Sequence, residues 1–190
     1  MRVIAGQAKG RILRAPKAER TRPTSDRVKE SLFAILSSKL ADAVVLDLYA
    51  GSGALALEAL SRGAAEAILV EQGHAASACI RHNIAITNME HRCHLIVAPV
   101  AKALPTLAAS DQQFHLVFMD PPYERVLIRP TLEMLQKYKL LYEYGMVIVE
   151  HTRKEEIPTN MENLVVCRQE HYGDTAITFL QATYEEVLVR

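Results

Sequence analysis

An aspartate, two prolines and a tyrosine, Asp120-Pro121-Pro122-Tyr123, form the stretch of this chain best suited to chemistry. They follow an apolar run, residues 114–119, that reads as a buried strand. Neither proline can donate to a sheet ladder, so the strand must stop there. A carboxylate and an aromatic ring are then held on a stiff loop at a strand's carboxyl end, where open α/β sheets bind ligands. Asp120 and a carbonyl near Pro121 can accept the two hydrogens of an amine on a planar base. That contact orients the nitrogen and favours the positive charge it gains on being alkylated. Tyr123 can stack on the base, which is worth about 1–3 kcal/mol. Strand-Pro-Pro is also an ordinary exit from a sheet, so the tetrapeptide alone leaves function and scaffold equally open.

A second pattern supplies a partner for that amine. Residues 44–56 read as a strand, a glycine turn and a helix start, with Asp47 on the strand and Gly51, Ser52 and Gly53 in the turn. Glycine permits a tight turn and close backbone approach, and the helix start offers free N–H groups. Glu71 lies 20 residues after Gly51, at the end of the next predicted strand, where a carboxylate can accept from ribose hydroxyls. Gly51-x-Gly53-x-x-Ala56 with Glu71 also satisfies a dinucleotide fingerprint. Asp47 favours S-adenosylmethionine instead, because a carboxylate attracts its ammonium and would repel a pyrophosphate. Asp47 can equally hold a helix start or cap the loop. The cofactor set read here is Asp47, Tyr49, Ala50, Gly51, Ser52, Gly53 and Glu71.

These residues must be positioned by alternating strands and helices. The apolar patterns predict strands at 43–48, 66–71, 93–98, 114–119 and 145–150, and helices at 53–62, 74–86, 100–108 and 126–141. The alternation implies a mostly parallel sheet with helices on both faces. Residues 163–182 read as two antiparallel strands joined near Gly173-Asp174. At the N-terminus, residues 2–14 read as a small hairpin, followed by a loop to 24 and a helix from Ser25 or Asp26 to Lys39. The expected division is a basic arm, 1–24, and a catalytic domain, 25–190.

Composition sets the broad class. The chain has 190 residues, 49% hydrophobic and 23% charged, enough for a single domain with a real core. No apolar run approaches the ~20 residues of a membrane span, and the first residues lack a signal-peptide core. Cys79, Cys93 and Cys167 show neither a disulfide framework nor zinc spacing, so no metal is expected and the cytoplasm is the expected compartment. The zero net charge hides a division: residues 1–29 hold nine Lys or Arg and two acids, while the rest is acidic by the same margin. A basic end on a neutral chain points to a polyanion. Lys9, Arg11, Arg14, Arg22, Arg27 and Lys29 are candidate phosphate contacts, although Arg27 can equally pair with Asp26 or Glu30.

Several of these segments, in order, resemble the bacterial small-subunit ribosomal RNA guanine methyltransferases of the RsmD type. The matching segments are residues 2–6 and 9–11, the run 21–33, the glycine loop 46–63, Val70-Glu71, Asp120-Pro121-Pro122-Tyr123 and 172–176. The resemblance spans nearly the whole chain. It implies a seven-stranded Rossmann-like fold, S-adenosylmethionine as methyl donor and the exocyclic amine of one guanine in 16S ribosomal RNA as acceptor. It also implies a small-subunit assembly particle as substrate, and a monomer is expected. One departure stands at Ala98-Pro99-Val100, where the family often has Gly-Asp-Ala; Pro99 brings neither carboxylate nor N–H toward an adenine. Three other readings stay open on the residues. They are an amine methyltransferase of adenine or cytosine in DNA or other RNA, a nicotinamide-dependent oxidoreductase, and a non-catalytic RNA-binding protein.

Overall fold

The computed structural model describes residues 1–16, 26–122 and 126–184. In chain order the elements are α1 (Asp26–Ile35), β1 (Val44–Leu48), α2 (Ala54–Ser61), β2 (Glu66–Glu71), α3 (His74–Thr87), β3 (Cys93–Val97) and α4 (Val100–Ala108). They continue with β4 (Phe114–Met119), α5 (Ile128–Lys137), β5 (Leu141–Thr152), β6 (Leu164–Tyr172) and β7 (Thr175–Ala182). The strands form one seven-stranded sheet in the order β3-β2-β1-β4-β5-β7-β6. Strands β1 to β5 are parallel, and β7 runs antiparallel to both neighbours, so β7 alone is reversed. This is the Rossmann-like sheet with an antiparallel C-terminal pair that the alternation predicts.

The sheet is covered on both faces, which is why β1 and β4 read as near-continuous apolar runs. One face carries α1, α2, α3 and the N-terminal hairpin, around Phe33, Leu57, Leu69, Phe118 and Phe179. The rings of Phe33 and Phe118 meet at 5.7 Å and 49°. The other face carries α4 and α5, around Leu46, Val70, Leu104, Leu132 and Val149. Chain order departs in both directions from β1: β2 lies on one side and β4 on the other. Leu48 of β1 stands opposite Met119 of β4, so the exits of both strands share one crevice at this switch point.

The N-terminal hairpin forms with a single bridge, Arg2 to Ile12, supported by Val3 N–H to the Arg11 carbonyl (3.0 Å) and Leu13 N–H to that of Met1 (3.0 Å). Its Val3, Ala8 and Leu13 are buried in the same core as α1–α3. Gly6, at φ +80°, rests on the end of α2: a Cβ there would stand 1.7 Å from the Ser61 carbonyl oxygen. Only glycine fits.

Two helices are shorter than their periodicity predicts. Helix α1 ends at Ile35, not Lys39, and a 3₁₀ turn over Ser37–Lys39 follows, closed by Lys39 N–H to the Leu36 carbonyl at 2.9 Å. Helix α5 ends at Lys137, not 141, and Lys139 at φ +48° breaks the helical path. Leu141 is already strand, opposite Phe114, so β5 begins four residues before the predicted start at 145. Residues 142–145 then bulge opposite His115 alone, before Leu116 meets Met146. Gly145 makes the bulge possible, since a Cβ would lie 2.8 Å from the Tyr142 carbonyl oxygen. Apolar pairs such as Leu140-Leu141 satisfy either period, and the partner strand decides between them. Among the described residues, no helix is long and apolar enough to cross a membrane.

Candidate functional site

The turn after β1 is held by the acid at the end of β2. Gly51 donates its N–H to Glu71 Oε2 (2.9 Å), and Gly73 donates to Oε1 (2.7 Å). The Glu71 carboxylate is thus fixed between the two loops, with acceptor capacity left on both oxygens. Gly73 is part of that fit: a Cβ would come within 3.1 Å of Oε1. Tyr49, Gly51 and Gly53 all have positive φ (60°, 58° and 75°), which folds the turn back onto the start of α2. Ala50 N–H bonds the Val70 carbonyl (3.1 Å), tying the turn to β2. Two residues of the predicted set turn elsewhere with their side chains. The Tyr49 hydroxyl bonds Thr131 Oγ1 on α5 (2.8 Å), and the Ser52 hydroxyl points at Met1 Sδ (3.3 Å). Both can serve a ligand only through their backbone.

Asp47 sits beneath the turn, 3% exposed, and its Oδ2 accepts the Ala56 N–H at 3.1 Å. That bond is the helix-start role, a carboxylate at the positive end of α2. Burial pushes its acid up to about 8, the Ala56 N–H opposes the rise, and Glu71 adds to it. Asp120 lies next door, at the exit of β4. Burial holds its acid well above the carboxylate range, and repulsion from Glu150 and then Asp47 pushes the same way. Pro121 is buried and Pro122 exposed. Tyr123 lies outside the described residues.

Glu150 is the functional candidate that sequence reading passed over. Met119 pairs with Val149, so the next residues along the two strands are Asp120 and Glu150. Glu150 is 7% exposed. A signal existed: residues 114–119 and 146–149 are both largely apolar runs followed at once by an acid. The second lacks the two prolines that drew attention to the first.

The basic residues divide. Lys9, Arg11, Arg14 and Arg27 are exposed, and Arg22 lies outside the described residues. Lys29 is a correction: it is 1% exposed and cannot meet a phosphate. Its ammonium pairs with Glu58 Oε2 at 3.3 Å and bonds the Arg2 carbonyl. Glu58 is fully buried, and also accepts Arg62 Nε (2.7 Å), Ile4 N–H (2.7 Å) and Ala5 N–H (3.0 Å). A basic residue near a basic terminus looks solvated until the helix phase turns it inward. Asp26 pairs with Arg2 at 3.1 Å.

The basic hairpin is joined to the glycine turn by Asn83 of α3, which is fully buried. Its Oδ1 accepts the Arg14 N–H (2.8 Å), and its Nδ2 donates to the carbonyls of Arg14 (2.8 Å) and Ser52 (2.9 Å). On the far side, Pro99 caps α4, and its carbonyl accepts from Lys102 and Ala103. Among the described residues, no group of three or more His, Cys, Asp or Glu could hold a metal ion.

A family model for "Conserved hypothetical protein 95" matches residues 1–181. An Escherichia coli K12 protein named ribosomal RNA small subunit methyltransferase D is 36% identical over 181 residues, 95% of this chain and 89% of that one. Its namesake in Haemophilus influenzae is 29% identical over 173 residues, 91% of this chain and 89% of that one. A solved Escherichia coli structure, provisionally called a methyltransferase, superposes with a TM-score of 0.83 at 36% identity, covering 96% of this chain and 98% of that one. An RNA methyltransferase from Salinibacter ruber, solved with S-adenosyl-L-homocysteine, shares the fold: TM-score 0.66 at 12% identity, over 86% of this chain and 95% of that one.

Proposed function

The chain belongs to the RsmD family of methyltransferases, conserved hypothetical protein 95, and from that premise we propose that it methylates the exocyclic amine of a guanine in small-subunit ribosomal RNA. The observation that carries the reading is the shared crevice: the cradle of β1 and β2 opens beside Asp120 of β4. The donor set suits S-adenosylmethionine. Asp47, Glu71 and Asp120 bring three acids together. Burial and mutual repulsion hold Asp47 and Asp120 toward their protonated forms, and a ligand with an ammonium and a sulfonium favours ionising them. When bound, S-adenosylmethionine supplies an electrophilic methyl group, whose transfer to an amine leaves S-adenosylhomocysteine and one proton.

This chain's residues do the holding. Glu71 is aimed to take ribose hydroxyls, and Asp47 to face the ammonium. Gly51 and Gly53 let the backbone approach the ligand. Around the adenine, Pro99 leaves packing and the first N–H groups of α4 to act in place of an acid. Asp120 and the Pro121 carbonyl hold the amine hydrogens, so that the nitrogen lone pair faces the methyl group. The exposed Lys9, Arg11, Arg14 and Arg27 track the RNA backbone, with Arg22 assigned the same role. Residues 1–24 form the RNA-contacting arm and 25–190 the methyltransferase domain. The substrate is 16S RNA in an assembling small subunit, met by a monomeric cytoplasmic enzyme.

The test is mass spectrometry of ribosomal RNA from cells with and without the gene. Loss of one N2-methylguanine, restored by the purified protein and S-adenosylmethionine, is the expected result. An unchanged set of modified nucleosides would overturn the proposal.

A further inference from the structure

The Asp-Pro-Pro-Tyr loop accounts for holding an amine, and it would hold that of adenine or cytosine equally well. The sheet order adds what the loop lacks. An amine attacks a methyl sulfonium from the side opposite the sulfur, so donor and base must lie on opposite sides of the transferred methyl. The residues aimed at the donor belong to β1 and β2, on one side of β4. The base therefore lies toward the other side, over the exit of β5. Glu150 stands there, one residue past Val149, the partner of Met119, and close enough for its charge to act on Asp120. Strand alternation puts it on the face of Ile148, the face that Asp47 shares with Val45. It is buried to 7% exposure, out of reach of bulk water and beside the base position.

From this geometry, and resting on the methyltransferase reading above, we infer that Glu150 selects guanine by accepting its N1–H while Asp120 accepts from the adjacent N2 amine. Burial favours the protonated form of Asp120, but beside a sulfonium and two hydrogen-bond donors both acids ionise, and an ionised pair is an edge of acceptors only. Guanine is the base that places a second donor, N1–H, directly beside its amine. Adenine and cytosine place a ring lone pair beside their amine, and that lone pair would face the Glu150 carboxylate. A site built to receive a donor rejects an analogue that places a lone pair there, because the lone pair and the carboxylate repel at close range. The mutual repulsion of Asp120 and Glu150 fits this role, since the two donors of guanine relieve it.

2-Aminopurine keeps the N2 amine but replaces N1–H by a lone pair and loses O6, so the change of its ratio in Glu150→Gln separates the N1 contact from any contact to O6. Synthetic RNA spanning the nucleotide mapped above would carry guanine or 2-aminopurine at that position. Both binding affinity and transfer rate would be measured. The wild-type protein is expected to prefer guanine in both by about tenfold or more. Glu150→Gln, whose amide can donate to a lone pair, is expected to shrink that ratio at least several-fold. Equal treatment of the two RNAs by the wild type, which requires no variant, would overturn the inference. So would a ratio left unchanged in a folded Glu150→Gln protein. Failure of the wild type to methylate the guanine RNA at all would instead sink the underlying assignment of function.

Discussion

Two clusters of buried charge lie on the same side of the sheet, and they are built on opposite terms. Around Glu58 every charge is answered: Lys29, Arg62 and two backbone N–H groups converge on one carboxylate. Around Asp120 the neighbours that set its acidity, Glu150 and Asp47, are acids as well. The first cluster clamps the hairpin, α1 and α2 together and needs nothing further. The second resists its own charge, and in the proposed function a cation and hydrogen-bond donors from outside relieve it. A buried ion pair is seldom the best way to gain stability. Acids gathered this closely repel one another, and such a set persists most readily where a ligand completes it.

The contrast can be broken at its structural end first. Glu58→Ala strands Lys29 in the core and frees the N–H groups of Ile4 and Ala5. A loss of about 3–5 kcal/mol is expected in denaturant unfolding. A loss below 1 kcal/mol would mean the clamp is not what holds the hairpin. At the acidic end the effect moves from folding to chemistry. Asp120→Asn should lower methyl transfer by about 10²–10³-fold, as losing one electrostatic contact to the reacting group does. The unfolding midpoint should stay the same or rise, because one of the repelling charges is gone. Turnover at the wild-type rate would remove Asp120 from the mechanism.

Solution pH sharpens the same comparison. Asp47, raised to about 8, keeps its proton in the folded chain at pH values where the unfolded chain has lost it. The folded state therefore binds more protons, and this contribution to stability falls as pH rises from about 4 through about 8. For the ligand-free protein the slope from this group is up to about 1.4 kcal/mol per pH unit. Asp47→Asn should remove that slope between pH 6 and pH 8 in urea titrations. If wild type and variant fall in parallel, the buried proton is not on Asp47. The smallest effect is expected at the exposed arm: reversing Arg11 and Arg14 to Glu should weaken RNA binding and flatten the log–log salt dependence by about 0.7–0.9 per contact. An identical slope would move the RNA footprint off the hairpin.

Much of the molecule was legible from local pattern. The alternation of β and α, the reversed final pair, the glycine turn with Glu71, and the acid before two prolines are all short-range signals. They follow from periodicity, proline's missing donor and glycine's tolerance of positive φ. Local pattern also misled at Leu140-Leu141, where a strand begins inside a predicted helix because Phe114 is there to pair with it. Lys29 looked like a phosphate contact, because a linear reading cannot see which way a side chain turns.

What the sequence alone determined is the set of parts: a glycine turn below an acid, an acid before two prolines and a basic end, each encoded within a few consecutive residues. Tertiary structure decided how those parts relate. Strand order put Glu150 beside Asp120, although 30 residues separate them in the chain. Packing buried Glu58 with Lys29, and Asn83 tied Arg14 to the glycine turn. The physical reason is the range of the forces concerned. Turns and periodicities are set by neighbours in sequence, whereas the pairing, repulsion and desolvation of charge depend on distance in space.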